Sequence, residues 1–334
     1  MLKLFQSFFG RGETAGRYPE SLIETAIERA VDGTDTRLRL LPGYRKRLRE
    51  PVIHAIDHVV ALVDAIPAPL DACRDDFNAD PRLPALFVSA AQMLELLGHD
   101  RAMDACLQAA AGGAERLTAL LMAERTEKNV LGMELAGEQL RRDVAQLTIG
   151  FRNHRLVDVT DNETETRRLL KRRAFDHLLS LALARIAETR AERTDLARQR
   201  DVLRHKLTTL ERNGWSFTET EAEPPEPATL QTELDDIENQ LQSLGADADV
   251  LGNHLDIVAD LLGQAEQQLR IETIGMRLDS MNIQRDARDA SARDIVLHEI
   301  HNARGRSIVL LLISVKPGEL PLRENRLATA YRYL

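Results

Sequence analysis

Thr229–Leu269 reads TLQTELDDIENQLQSLGADADVLGNHLDIVADLLGQAEQQL. Within it Leu230, Leu234, Ile237, Leu241, Leu244, Ala248, Leu251, Leu255, Val258, Leu262, Ala265 and Leu269 recur at steps of four and three without a break. That spacing is the heptad seam of a supercoiled helix. Acids and amides fill most positions between, and Thr229 stands where an N-cap belongs.

Upstream lies a second, less regular seam through Leu179, Ala182, Ile186, Leu196, Leu203, Leu207 and Leu210. Thr189, Arg193 and Arg200 occupy seam positions that a pure zipper fills with leucine, which weakens packing and sets register. Thr160 with Glu163 has capping-box spacing. Between the seams, residues 213–228 hold Gly214, Pro224, Pro225 and Pro227 among Glu219, Glu221, Glu223 and Glu226, a composition that cannot continue a helix. Residues 160–283 are therefore predicted to fold back as an antiparallel coiled-coil hairpin with an acidic, proline-rich tip. Arms paired over 178–210 and 230–262 each span roughly 50 Å. Trp215 and Phe217 open the tip. They either cap the rod on Leu210 or present an aromatic anchor to a partner, and with Arg193 and Arg200 they are the candidate partner-binding residues.

The whole chain of 334 residues has 43% hydrophobic content, enough for a core, but only 4% aromatics. Its richness in Leu, Ala, Glu, Arg and Gln favours helix. The net charge of −9 argues against a nucleic-acid partner. Residues 1–50 carry ten Lys or Arg against seven Asp or Glu, a net of +3 that leaves −12 for the rest. Two cysteines, Cys73 and Cys106, make no disulfide framework. No apolar run approaches the roughly 20 residues of a membrane span, and Met1–Phe9 lacks the h-region and cleavage site of a signal peptide. A cytoplasmic location, membrane-peripheral at most, follows as the expectation.

Residues 1–12 are predicted to form a short amphipathic helix, with Leu4, Phe5, Phe8 and Phe9 on or beside its apolar face. Such a piece docks on its own chain or lies in a bilayer interface. Arg45, Lys46, Arg47 and Arg49, with Arg37 and Arg39 nearby, would supply the second signal an anionic membrane requires. Residues 18–157 are predicted to be a helical bundle. Its elements include a helix over 51–66, another over 80–97, and a long one from Ala114 to about Ile149, in which Gly132 and Gly137 are explained by close approach of a neighbouring helix. Residues 154–159 look strand-like. Residues 293–316, rich in Ile and Val around Gly305, are predicted to be a small β-hairpin in need of cover, followed by a tail over 317–334.

His54 and His58, with Asp57 between, approximate an inverted zinc-protease signature, but on the polar side of their helix and without a third ligand. His298 and His301, across the expected hairpin bend, are expected to face solvent, with metal binding the alternative. No cofactor motif is present. The fold class is thus expected to be mainly α: an N-terminal helical bundle, a long antiparallel coiled-coil hairpin and a small C-terminal β-hairpin. The function expected is that of a non-enzymatic scaffold or adaptor presenting its rod to a protein partner. A homodimer through the coiled coil or the β-hairpin is also open, since heptads specify contact and not which chain supplies it. The alternatives are a peripheral membrane protein using the N-terminal helix and arginines and, more remotely, a metal-dependent hydrolase on His54 and His58.

Overall fold

The structure, a computed structural model, describes residues 18–109, 114–136, 139–212, 227–244, 249–286 and 289–321. In chain order the elements are α1 (Glu20–Asp32), a 3-10 turn (Thr36–Leu40), α2 (Tyr44–Asp64), β1 (Leu70–Asp71), α3 (Arg82–Leu86), α4 (Ala90–Gly98), α5 (Arg101–Ala109), β2 (Leu117–Ala136) and β3 (Gln139–Thr160). There follow α6 (Glu163–Arg212), α7 (Pro227–Ser243), α8 (Val250–Gly263), α9 (Ala265–Gln268), β4 (Leu269–Leu278), β5 (Arg293–Asn302), β6 (Ser307–Val315) and a 3-10 turn (Pro317–Glu319). They divide into two compact units. Among the described residues one unit holds 58–174 and 266–321, the other 18–57 and 175–265.

The second unit is helical. α1 buries Leu22, Ile23, Ala26, Ile27, Ala30 and Val31, the three-and-four spacing of an amphipathic helix. α2 begins at Tyr44 behind Gly43, whose φ of 80° suits a residue without a Cβ.

The first unit is organised around β6. Strand order is β3-β2-β6-β5-β4, all antiparallel, with β1 beside β6 in parallel through Leu70↔Ile313. Alternate residues of four strands face one core: Leu117, Ala119, Leu121 and Ala123 of β2; Ile295 and Leu297 of β5; Val309, Leu311, Ile313 and Val315 of β6; Leu278 of β4. Leu83 and Leu86 of α3, Phe87, and Met93, Leu94 and Leu97 of α4 complete it. Ser89 caps α4 by accepting from Gln92 N at 3.2 Å.

The segment after β4 returns to the far edge of the sheet. Ile149 N donates to Asn282 O at 2.8 Å, Gln284 N donates to Leu147 O at 2.8 Å, and Gln284 also bridges Leu278. Backbone hydrogen bonds therefore run in a closed circuit from β3 through β2, β6, β5 and β4 back to β3. Asn282 adopts the left-handed region, φ 58°, which Asn tolerates better than most residues. Its Nδ2 also donates to Ala85 O of α3 at 2.8 Å.

Three parts of the sequence expectation are corrected. The protein is not mainly α: a six-stranded sheet stands beside the helices, and the C-terminal hairpin of β5 and β6 is its centre and not a small separate element. The helix expected from Ala114 to Ile149 is instead β2 and the first half of β3, so 18–157 is no helical bundle. Its leucines fit helical spacing, yet the buried set 117, 119, 121 and 123 has period two. Gly132 makes room for Gln146 of the facing strand, since a Cβ there would meet Oε1 at 2.1 Å; Gly137 lies outside the described residues. The heptad also outruns its helix: Leu269 opens β4, and residues through 278 are strand.

Asn282→Ala removes the bond to Ala85 and disfavours the left-handed backbone at the point where the circuit closes. A loss of roughly 1–3 kcal/mol is expected, read as a lower midpoint in urea with unchanged slope.

Candidate functional site

The long helix α6 changes character along its length. Phe175, Leu178, Leu179, Ala182 and Ile186 are buried, whereas from 187 to 210 the only buried residue is Leu203. Leu203 clusters with Leu230 and Leu234 of α7, with Leu207, Leu210 and Ile237 packed against them. An ion pair, Arg204 to Glu238 at 2.5 Å, crosses between the two helices. Arg193 and Arg200 sit half-buried on α6, and Arg200 pairs with its neighbour Asp201 at 2.8 Å. Trp215 and Phe217, like Leu4, Phe5, Phe8 and Phe9, lie outside the described residues.

The arginine cluster is engaged within its own unit. Arg39 pairs with Glu28 and Asp32, Arg45 with Glu28, Arg47 with Asp256 and Arg49 with Glu20. Arg45 also lies 5.7 Å from the centre of the Tyr44 ring. Lys46 and Arg47 line an open cleft of about 670 Å³ with Glu50 and Asp260. These pairs stitch α1, α2 and α8 together, and such exposed pairs contribute little each.

His54 and His58 lie one turn apart on α2. His58 Nε2 lies 2.6 Å from the Leu269 carbonyl, which engages one of the two nitrogens a ligand pair would use. Among the described residues no three His, Cys, Asp or Glu side chains are grouped to hold a metal ion.

Two buried polar clusters went unmarked in the sequence patterning. In the helical unit Asp35, 6% exposed, accepts from Arg37 Nε and N (both 3.1 Å), Arg37 NH2 (2.9 Å) and Arg190 NH2 (2.5 Å), and pairs with His254 Nδ1 at 2.9 Å. The Arg37 guanidinium, aided by its backbone N–H and by His254, outweighs burial and holds the Asp35 carboxyl far below the usual range. Burial pushes the His254 imidazole down, and the Arg190 charge adds to that against the opposing bond from Asp35. Through Asp35, this cluster ties the 3-10 turn to α6 and α8.

The second cluster sits at the polar end of the sheet core. Glu299 is 0% exposed, placed inward by its pairing with Val309 and Glu272. Arg125 NH2 and Nε reach its Oε2 at 3.1 and 3.4 Å, and Arg125 also binds Glu127. His301 Nε2 lies 3.5 Å from Glu272 and 4.0 Å from Glu299. A sequence signal for this site did exist: Ile295, Leu297 and Glu299 share one strand face, so a charge falls on the buried row.

Arg125→Met leaves Glu299 buried without its partner. A loss of about 3–5 kcal/mol is expected, largely restored when Glu299→Leu is added, as measured by double-mutant unfolding. For the other cluster the folded-state pKa of both groups is depressed. Asp35 thus contributes stability present above its unfolded pKa and lost as pH falls through the folded value, and neutral His254 is favoured above the ordinary His range but must charge on unfolding as pH drops below it. Stability should fall on acidification from pH ~7, starting near ~6.5. His254→Gln should flatten the upper part of that fall and leave the acid part in place, as read by thermal unfolding across pH. No family model, curated protein or solved structure matches this chain.

Proposed function

We propose that this protein is a non-enzymatic scaffold whose arm, formed by the far part of α6 with α7, engages a protein partner. The observation that carries this reading is the thin seam. Over 187–210, α6 keeps one buried leucine, so the arm holds almost no core of its own, and its charged flanks face solvent. Helix α7 carries Glu233, Asp235, Asp236 and Glu238 and no Lys or Arg, while α6 between 190 and 206 carries six basic residues, Arg190, Arg193, Arg198, Arg200, Arg204 and Lys206, against three acids, Glu192, Asp195 and Asp201, and is net basic. A pair of helices with one basic and one acidic flank gives a partner both orientation and register through charge. The anionic-membrane alternative is weakened by the local pairing of Arg39, Arg45, Arg47 and Arg49.

The test is affinity capture from the native lysate with the intact chain, with Arg193→Glu/Arg200→Glu, and with Asp235→Lys/Asp236→Lys. All three need matching circular dichroism. The expected result is a partner recovered by the intact chain and reduced at least about tenfold by one or both variants. Identical recoveries would sink the proposal.

A further inference from the structure

Ile149 and Leu156 of β3 both belong to the sheet core, although they stand an odd number of residues apart. A regular strand sends such residues to opposite faces, so the strand holds one extra residue between them. The register locates it. Met122 pairs with Arg155 but Glu124 with Arg152, which sets Ala123 of β2 opposite both Asn153 and His154. Asn153 adopts the left-handed region, φ 55°, and its Nδ2 donates to Glu124 Oε2 at 2.7 Å. A β-bulge of this kind re-aims the side chain beside it, and here it turns His154 onto the core side of β3.

The His154 ring stacks on Phe87, with centroids 4.8 Å apart and an interplanar angle of 30°, and the Leu86 backbone accepts a hydrogen bond from it. The imidazole thus holds the end of α3 against β3. Its Nε2 is buried and has no hydrogen-bond partner. The neutral ring leaves one acceptor unmet there, whereas the protonated ring would bury an unmet N–H together with a charge, at far greater cost. The Leu86 bond, and cation–π attraction from the Phe87 face, work the other way. Burial prevails over that bond and pushes the imidazole below the usual His range.

The charged groups on the surrounding elements are engaged with one another or lie at the surface. Arg82 of α3 binds Asp80, Asp100 ahead of α5 accepts from Leu156 N and Ala102 N, and Arg285 binds Asp279 beside Asn282. Glu95, His99 and Arg101 are exposed, as are Arg152 and Arg155 on β3, while on α5 Asp104 has its own partner and Cys106 is half-buried. None of these reaches Nε2.

We propose that His154 is a proton-operated latch: protonation of its ring frees α3 and Phe87 from β3 and exposes Leu83, Leu86 and Phe87, while β2, β5 and β6 stay paired. The opening is local because α3 is five residues long and the chain beyond it is already open at Val88, 89% exposed, whereas β6 is paired on both sides. A further tie, Asn282 Nδ2 to Ala85 O, does not titrate. The open segment leaves its imidazole in water to bind a proton in the ordinary His range, and the closed one resists it, so opening gains as pH falls below about 6.5. One unit lower the gain approaches about tenfold. The arm of α6 and α7 is not involved, so this inference is independent of the scaffold reading.

Hydrogen exchange of the full chain, read by mass spectrometry on peptides covering 82–89 and 307–315 and corrected for the intrinsic effect of pH, tests the latch. Between about pH 7.5 and about pH 5.5, protection of 82–89 is expected to fall several-fold, up to about tenfold, while that of 307–315 holds. His154→Phe keeps a ring to stack on Phe87, and His154→Gln keeps a donor for Leu86; neither titrates, and each is expected to show the same 82–89 protection at both pH values. Unchanged protection of 82–89 in the native chain overturns the proposal. So does a pH response that the variants retain, or an equal loss over 82–89 and 307–315, which is global unfolding.

Discussion

Everything in the sheet unit depends on β6 being covered on both faces. Val309 and Leu311 face the core with the helices, and Leu310 and Leu312 on the opposite face are as deeply buried. A strand apolar on every residue from Ile308 to Ile313 is poorly suited to an edge, and β2 and β5 flank it. Their register then decides which side chains go inside. Because β5 pairs with β6 as Glu299↔Val309, the buried row receives a carboxylate, and Arg125 from the neighbouring strand answers it. The ion pair is thus a consequence of strand pairing and not an independent stabiliser.

The helices show a different logic, in which charge is settled locally. Asp35 gathers Arg37, Arg190 and His254, and the arginines of α1 and α2 find acids on the same or adjoining helices. Among the described residues, Arg37, Arg39, Arg45, Arg47 and Arg49 of this basic segment are thus each offset by a nearby acid.

How much of this was legible depended on which period dominated. The α6 seam at Leu203, Leu207 and Leu210 and its partners Leu230, Leu234 and Ile237 were readable because heptad spacing is long and local. The strands β5 and β6 were readable from Ile and Val enrichment around Gly305. β2 and β3 were hidden because Leu, Met, Glu, Lys and Arg are good helix formers and because a twenty-residue strand is rare. Tertiary pairing with β6 overrode local propensity there. The glycines carried the contrary signal, since Gly132 costs a helix but suits a strand that must clear Gln146. Heptad continuity misled at Leu269, where apolar spacing runs unbroken from helix into strand. Asp35 and His254 are 219 residues apart, a pairing no local pattern reports.

The closed hydrogen-bond circuit has a kinetic side. Its last link joins Ile149 to Asn282 across 133 positions, with α6, α7 and α8 lying between them in the chain. Closing so long a loop in an unstructured chain is entropically costly, with the cost rising as the logarithm of length. Folding the intervening helices first shortens the effective loop, and their contacts are largely local and fast to form. During synthesis β2 and β3 emerge long before β4, β5 and β6 exist to complete the sheet. The β6 partner of β2 is made only when residues 307–315 are, about 170 positions after β2 ends.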